Sequence, residues 1–164
     1  MTDKQQQYDA LFRRLDELCR GEDDAVALMA TIACELHQAF ERFHWVGFYR
    51  SVGGDVLKIG PYQGGHGCMV IPFSRGVCGR CAREMAVINL PDVSAVPEHI
   101  ACSASTRSEI VVPVTGRGGR LLGVLDIDSD LPAAFDGADE ENLKNIARFF
   151  LNAAEGGPSE RNTQ

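Results

Sequence analysis

The chain has 164 residues, of which 45% are hydrophobic and 24% charged, and a formal net charge of −7. That length suits one domain able to bury a real core, and the composition excludes a disordered chain. The acidic balance removes the positive field that would hold a nucleic-acid backbone, so no nucleic-acid partner is expected.

The first nine residues, Met1 to Asp9, are polar and Gln-rich, with no apolar segment behind a basic start. They do not resemble a secretory signal. No apolar run approaches bilayer length, so no membrane partner is expected. The expected compartment is the cytoplasm, where thiols are kept reduced.

Tyr8, Leu11, Phe12, Leu15, Leu18 and Cys19 recur at helical spacing, which predicts an amphipathic helix from about Gln7 to Arg20, stopped at Gly21. Asp23 or Asp24 can cap a second helix, whose buried stripe is Leu28, Met29, Ile32, Leu36 and Phe40. From Phe43 the period changes to two. Trp45, Gly47 and Tyr49 point one way, Val46 and Phe48 the other. Gly53-Gly54 turns the chain into a return strand over 55–60, and 68–73 reads as a third strand. Gly76 leads into a short helix ending near Met85. Pro91 to Ser108 is a long connection with little periodicity, a feature often functional in compact domains. Glu109 to Thr115 and Arg120 to Asp128 read as a strand pair around a Gly-rich turn. Asp136 can cap a last helix with the stripe Leu143, Ile146, Ala147 and Phe150. This order predicts an α/β or α+β fold, a largely antiparallel sheet between helices. Residues 1–155 read as a single domain and 156–164 as a polar tail.

Six cysteines need an account in a reducing compartment. Cys19 and Cys34 sit within helical patterns beside apolar neighbours and read as core residues. Cys78 and Cys81 form a C-x-x-C at a helix start, where the thiolate is favoured. That pattern fits a redox motif, half of a zinc site or two core residues. Cys102 lies in a small-residue loop, His99 to Ser105, and reads equally as a nucleophile or as a packed thiol. Asp126 and Asp128, two apart on a strand, share a face with Val124. Two such carboxylates repel unless a cation or solvent compensates. They fit a divalent metal, a ligand ammonium group or a solvated strand end. Glu109 opens the neighbouring strand and can reach the same region, while Trp45 and Tyr49 can wall a pocket or fill the core.

The segments His44-Trp45-Val46-Gly47-Phe48-Tyr49, Gly60-Pro61-Tyr62-Gln63-Gly64, Gly76-Val77-Cys78-Gly79, His99-Ile100-Ala101-Cys102, Ser108-Glu109-Ile110-Val111 and Gly123-Val124-Leu125-Asp126-Ile127-Asp128-Ser129 together resemble the GAF-domain free methionine-(R)-sulfoxide reductases. The resemblance implies a GAF domain with a central antiparallel sheet flanked by helices. It implies reduction of free L-methionine (R)-sulfoxide. It makes Cys102 the nucleophile, Cys68 its disulfide partner and Cys78 a second resolving or relay thiol. It sets Trp45, Tyr49, Glu109, Asp126 and Asp128 around the substrate, with thioredoxin as reductant. It implies no cofactor and no metal, and it admits a homodimer, although no interface is legible in the sequence. The alternatives are a ligand-binding GAF sensor without turnover and a zinc-binding cysteine site. Ser103 and His44 depart from the family pattern, and Cys81 is extra.

Overall fold

A computed structural model describes residues 3–97, 99–100 and 102–154. Its order is α1 (Asp3–Leu18), α2 (Ala25–Ala39), β1 (Trp45–Ser51), β2 (Val56–Gln63), β3 (Val70–Pro72), α3 (Gly76–Glu84), β4 (Ile88–Leu90), β5 (Ser108–Thr115), β6 (Leu121–Ser129) and α4 (Gly137–Ala147). The six strands form one sheet in the order β3-β2-β1-β6-β5-β4, and each neighbouring pair is antiparallel. No helix among the described residues is long and apolar enough to cross a membrane.

The period of two along β1 sorts its side chains onto two separate cores. Val46 and Phe48 join Tyr8, Leu15, Ile32, Leu36, Leu143 and Phe150, beneath α1, α2 and α4. Trp45 and Tyr49 join Val77, Cys78, Cys81, Val111 and Val124, beneath α3. Three helices thus cover one face of the sheet, and a single short helix with its flanking loops covers the other. That thinner cover leaves room for a pocket.

The α2 cap is Asp24, whose carboxylate accepts from the Val26 and Ala27 N–H groups at 2.8 and 3.2 Å. Asp136 caps α4 through a capping box with Asp139. Asp139 is fully buried, and its charge is met by Lys4 at 2.8 Å, by Arg42 and by the Tyr8 hydroxyl at 2.8 Å. Those ties explain why α1 begins at Asp3 rather than near Gln7. Its first turn carries no apolar periodicity but is anchored to α4 by Lys4. The connection from Pro91 to Ser108 contains a 3-10 turn over Val93–Ala95, and β4 precedes it as an additional edge strand. The tail at 156–164 lies outside the described residues.

Candidate active site

Register brings the acidic residues together. Glu109 on β5 pairs directly with Asp128 on β6, and Val111 pairs with Asp126. On the other side of β6, Trp45 pairs with Asp128 and Gly47 with Asp126. Glu109, Asp128 and Trp45 therefore form one row across three strands. Gly47 is required beside them. A Cβ there would lie 2.3 Å from the Trp45 ring and 2.7 Å from the Tyr62 Cβ. Without it the indole lies flat, stacked on Tyr49 and Tyr62 with centroids 5.9 and 5.5 Å apart. Its Nε1 donates to the Gly65 carbonyl at 2.8 Å.

Trp45, Tyr49, Cys78, Cys102, Glu109, Asp126 and Asp128 line one cavity of about 40 Å³. Seven of the eight site residues expected from the sequence thus meet in one place. The eighth, Cys68, is not among the lining residues but is disulfide-bonded to Cys102, with the two Cα atoms 5.6 Å apart. That bond takes both sulfurs out of any four-cysteine zinc site. The cavity continues into a wider cleft of about 510 Å³, which shares Trp45, His66, Cys102, Ser103, Thr106 and Asp128 with it.

Glu109 and Asp126 are buried and Asp128 is half-buried with its Oδ1 shielded, which excludes the solvated strand end. Burial raises the Glu109 pKa to about 8, and the Asp128 charge adds to the rise. Burial also holds the Asp126 pKa well above its ordinary range, with Glu109 next in effect. The same is true of Asp128, where Asp126 is the neighbouring charge. Glu109 and Asp126 influence each other's titration directly, so the two carboxyls titrate as a coupled pair. Glu109 Oε2, Asp126 Oδ1 and Asp128 Oδ1 are buried acceptors without a hydrogen-bond partner. The cavity wall contains no Lys or Arg among the described residues. Three acceptor oxygens thus lie at a cavity whose described lining offers no Lys or Arg, only the imidazoles of His66 and His99.

The thiols differ sharply. Cys68 and Cys102 are partly exposed. Cys78 is buried, and its pKa is raised first by desolvation and then by the charge of Asp126, with which it is hydrogen-bonded. Cys81 is fully buried, and desolvation pushes its pKa up to about 12. Cys78 and Cys81 are both protonated in this environment, so neither is a ready nucleophile.

Several pocket residues carried no assignment in the sequence reading. Tyr62 backs the indole, His66 and Thr106 line the mouth, and Ile100 packs over Gly76. Gly76 has φ +71°, and a Cβ on it would meet the Ile100 side chain at 2.8 Å. His99 Nε2 lies 3.1 Å from Glu109 Oε2 without the alignment of a hydrogen bond, and burial lowers its pKa. The signal for His99 was present, three residues before Cys102 in the quoted motif. The departures are also accommodated. His44 Nδ1 accepts the Asp130 N–H at 3.1 Å, and the Ser103 hydroxyl sits 3.0 Å from that of Ser105.

An open antiparallel sheet, helices packed on one face and a pocket under a short helix on the other define the class: the chain belongs to the GAF domain family, whose model matches residues 24–153. Within that class it groups with the free methionine-(R)-sulfoxide reductases. It is 37% identical over 139 residues to the free methionine-R-sulfoxide reductase of Escherichia coli, covering 85% of this chain and 83% of that one. It is 41% identical to the free methionine-R-sulfoxide reductase of Neisseria meningitidis, solved in complex with its substrate. That likeness has a TM-score of 0.84 and covers 92% of this chain and 89% of the other. The Staphylococcus aureus fRMsr, also solved with substrate, is 34% identical at a TM-score of 0.80, covering 87% of this chain and 92% of that one.

Proposed function

We propose that the protein reduces free L-methionine (R)-sulfoxide to methionine, with Cys102 as the nucleophile. The observation that supports this reading is the meeting of a disulfide-bonded Cys102 with three buried carboxyl oxygens that lack hydrogen bonds, around one cavity. An α-ammonium group has three N–H donors, and each would gain a charge-assisted hydrogen bond at such oxygens.

A sulfoxide sulfur becomes electrophilic when its oxygen is protonated. Glu109 has the pKa to hold that proton at neutral pH and release it on demand. The Cys102 thiolate attacks the sulfur, the oxygen passes to Cys102 as a sulfenic acid, and methionine leaves. The Cys68 thiol condenses with the sulfenic acid, expelling water and forming the disulfide. A dithiol reductant of the thioredoxin type then returns both sulfurs to thiols. Cys78 serves as a reserve resolving thiol, slow because it is buried and protonated. The Trp45 indole, held by Tyr49, Tyr62 and Gly65, provides a flat apolar wall for the S-methyl group.

The test is turnover of the free (R)- and (S)-sulfoxides with thioredoxin as reductant. The (R)-epimer should be consumed and the (S)-epimer spared. Equal rates, or no turnover of either, would overturn the reading. Retained binding without turnover would favour a sensor instead.

A further inference from the structure

We propose that Cys78, Glu109 and Asp126 form a site for a borderline divalent cation of the zinc class, open to the substrate cavity. Cys78 comes from the first turn of α3, Glu109 from β5 and Asp126 from β6. Their sulfur and carboxyl oxygens all lie within 4.8 Å of one another. Each residue is buried, at 4, 5 and 5% exposure respectively. Bonds of roughly 2.0–2.3 Å place tetrahedral zinc ligands about 3.5 Å apart, so small side-chain rotations close the set.

The second observation is the missing partner. Asp126 Oδ1 is a buried acceptor with no hydrogen bond, Glu109 Oε2 has only the unaligned His99 Nε2 at 3.1 Å, and both residues line the cavity. Neither Lys nor Arg reaches the cavity wall among the described residues. A divalent ion would displace the protons that these three groups hold and neutralise the two carboxylates and the thiolate left behind. The donor set also selects the ion. One soft sulfur with two carboxylates suits zinc or cobalt. Magnesium and calcium seek oxygen alone and in larger number. Three protein ligands leave a fourth position facing the cavity.

This site differs from one built of four cysteines, since Cys68 and Cys102 are bonded to each other and take no part. Its consequence rests on the reductase reading. Two of its ligands are the oxygens proposed for the substrate ammonium, so cation and substrate exclude one another.

The experiment titrates cobalt(II) into the full-length, phosphine-reduced protein and follows the thiolate-to-cobalt charge-transfer absorption. Wild type should show the band, as should Cys68→Ser and Cys102→Ser. Cys78→Ser should lose it, and Asp126→Asn and Glu109→Gln should bind cobalt more weakly. Free methionine sulfoxide should displace cobalt from Cys102→Ser. No band in wild type, or a band that survives Cys78→Ser, would overturn the site. If Cys78→Ser fails to fold by circular dichroism, the carboxyl variants decide, and unchanged cobalt affinity in both overturns it. Sulfoxide turnover with no band would remove only the cation site. A Cys78-dependent band with no turnover would remove only the reductase reading.

Discussion

Glu109 and Asp128 stand directly across from each other on β5 and β6, on the same face of the sheet, Glu109 buried and Asp128 half-buried. Like charges in that position destabilise a strand pair. Burial raises both pKa values and so favours the uncharged acids, and this makes stability depend on pH. The Glu109 pKa is raised from 4.5 to about 8, so the folded chain binds its proton more tightly than the unfolded chain. That contribution is complete below pH 4.5 and is lost as pH rises through about 8. Asp126 and Asp128 are raised too and act in the same sense. The ligand-free, disulfide-bonded protein should therefore lose stability from pH 6.5 to about 8, by up to about 1.4 kcal/mol per pH unit for each proton that the folded chain keeps and the unfolded chain has released. Below pH 6.5 the lowered pKa of His99 begins to act in the opposite sense. Melting temperatures across the window, compared with Glu109→Gln, check this. The variant should show a shallower slope, and matching slopes would remove the raised Glu109 from the account.

Cys102→Ser should abolish turnover and leave the fold intact. Serine nearly keeps the volume, but its hydroxyl does not ionise at neutral pH and so cannot replace the thiolate. Cys102 is partly exposed in a loop, so little packing is at stake. A single-turnover assay of methionine release decides the matter, and near-normal release by the variant would exclude the assigned role.

Cys68→Ser separates chemistry from recycling. The variant should release about one methionine per chain and then stall, because the sulfenic acid has lost its partner. Cys78 should rescue slowly at best, being buried with its proton held. Mass mapping of wild type after substrate addition should find the Cys68–Cys102 bond. Recovery of a Cys78–Cys81 bond alone would count against this route.

Much of the site was legible because strand periodicity is a local rule. Asp126 and Asp128 share a face with Val124 by the period of two, and all three face the pocket side. Trp45 and Tyr49 separated from Val46 and Phe48 in the same way. The meeting of Cys68 and Cys102 was not legible from spacing. They lie 34 residues apart, and only the finished sheet and loop bring them together. β4 was missed because three residues, Ile88–Leu90, are too short to show a period. The start of α1 was misjudged because its anchor, Lys4 on Asp136 and Asp139, lies more than 130 residues away. Tyr62 falls on an exposed strand end, and its role emerges only from stacking on Trp45.

Gly47→Ala tests the indole wall. The new Cβ would meet the Trp45 ring at 2.3 Å, well inside contact distance. Either the ring or the strand must shift, at about 1–3 kcal/mol of stability for overpacking. Because the ring is the proposed methyl wall, KM for the sulfoxide should rise more than kcat falls. A variant as stable as wild type with unchanged KM would show that the indole can move without consequence for binding.

Substrate choice gives the sharpest test of the acidic group. Glu109 Oε2, Asp126 Oδ1 and Asp128 Oδ1 lack partners, so an arriving ammonium group would satisfy acceptors that are otherwise buried and unmet. N-acetylation removes that charge, replaces three donors with one and adds bulk. Each acceptor left unsatisfied costs about 1–3 kcal/mol. One such loss is about tenfold or more in binding. The free (R)-sulfoxide should therefore be strongly preferred over its N-acetyl form in kcat/KM. Asp126→Asn and Asp128→Asn should narrow the preference, because an amide presents donors where the ammonium also donates. Equal use of both substrates by wild type would refute the ammonium site. Slow variants that keep the full preference would move the aspartates from ammonium binding to proton supply. A selective fall in the free substrate's kcat/KM would tie Asp126 and Asp128 to recognition of the amino group itself.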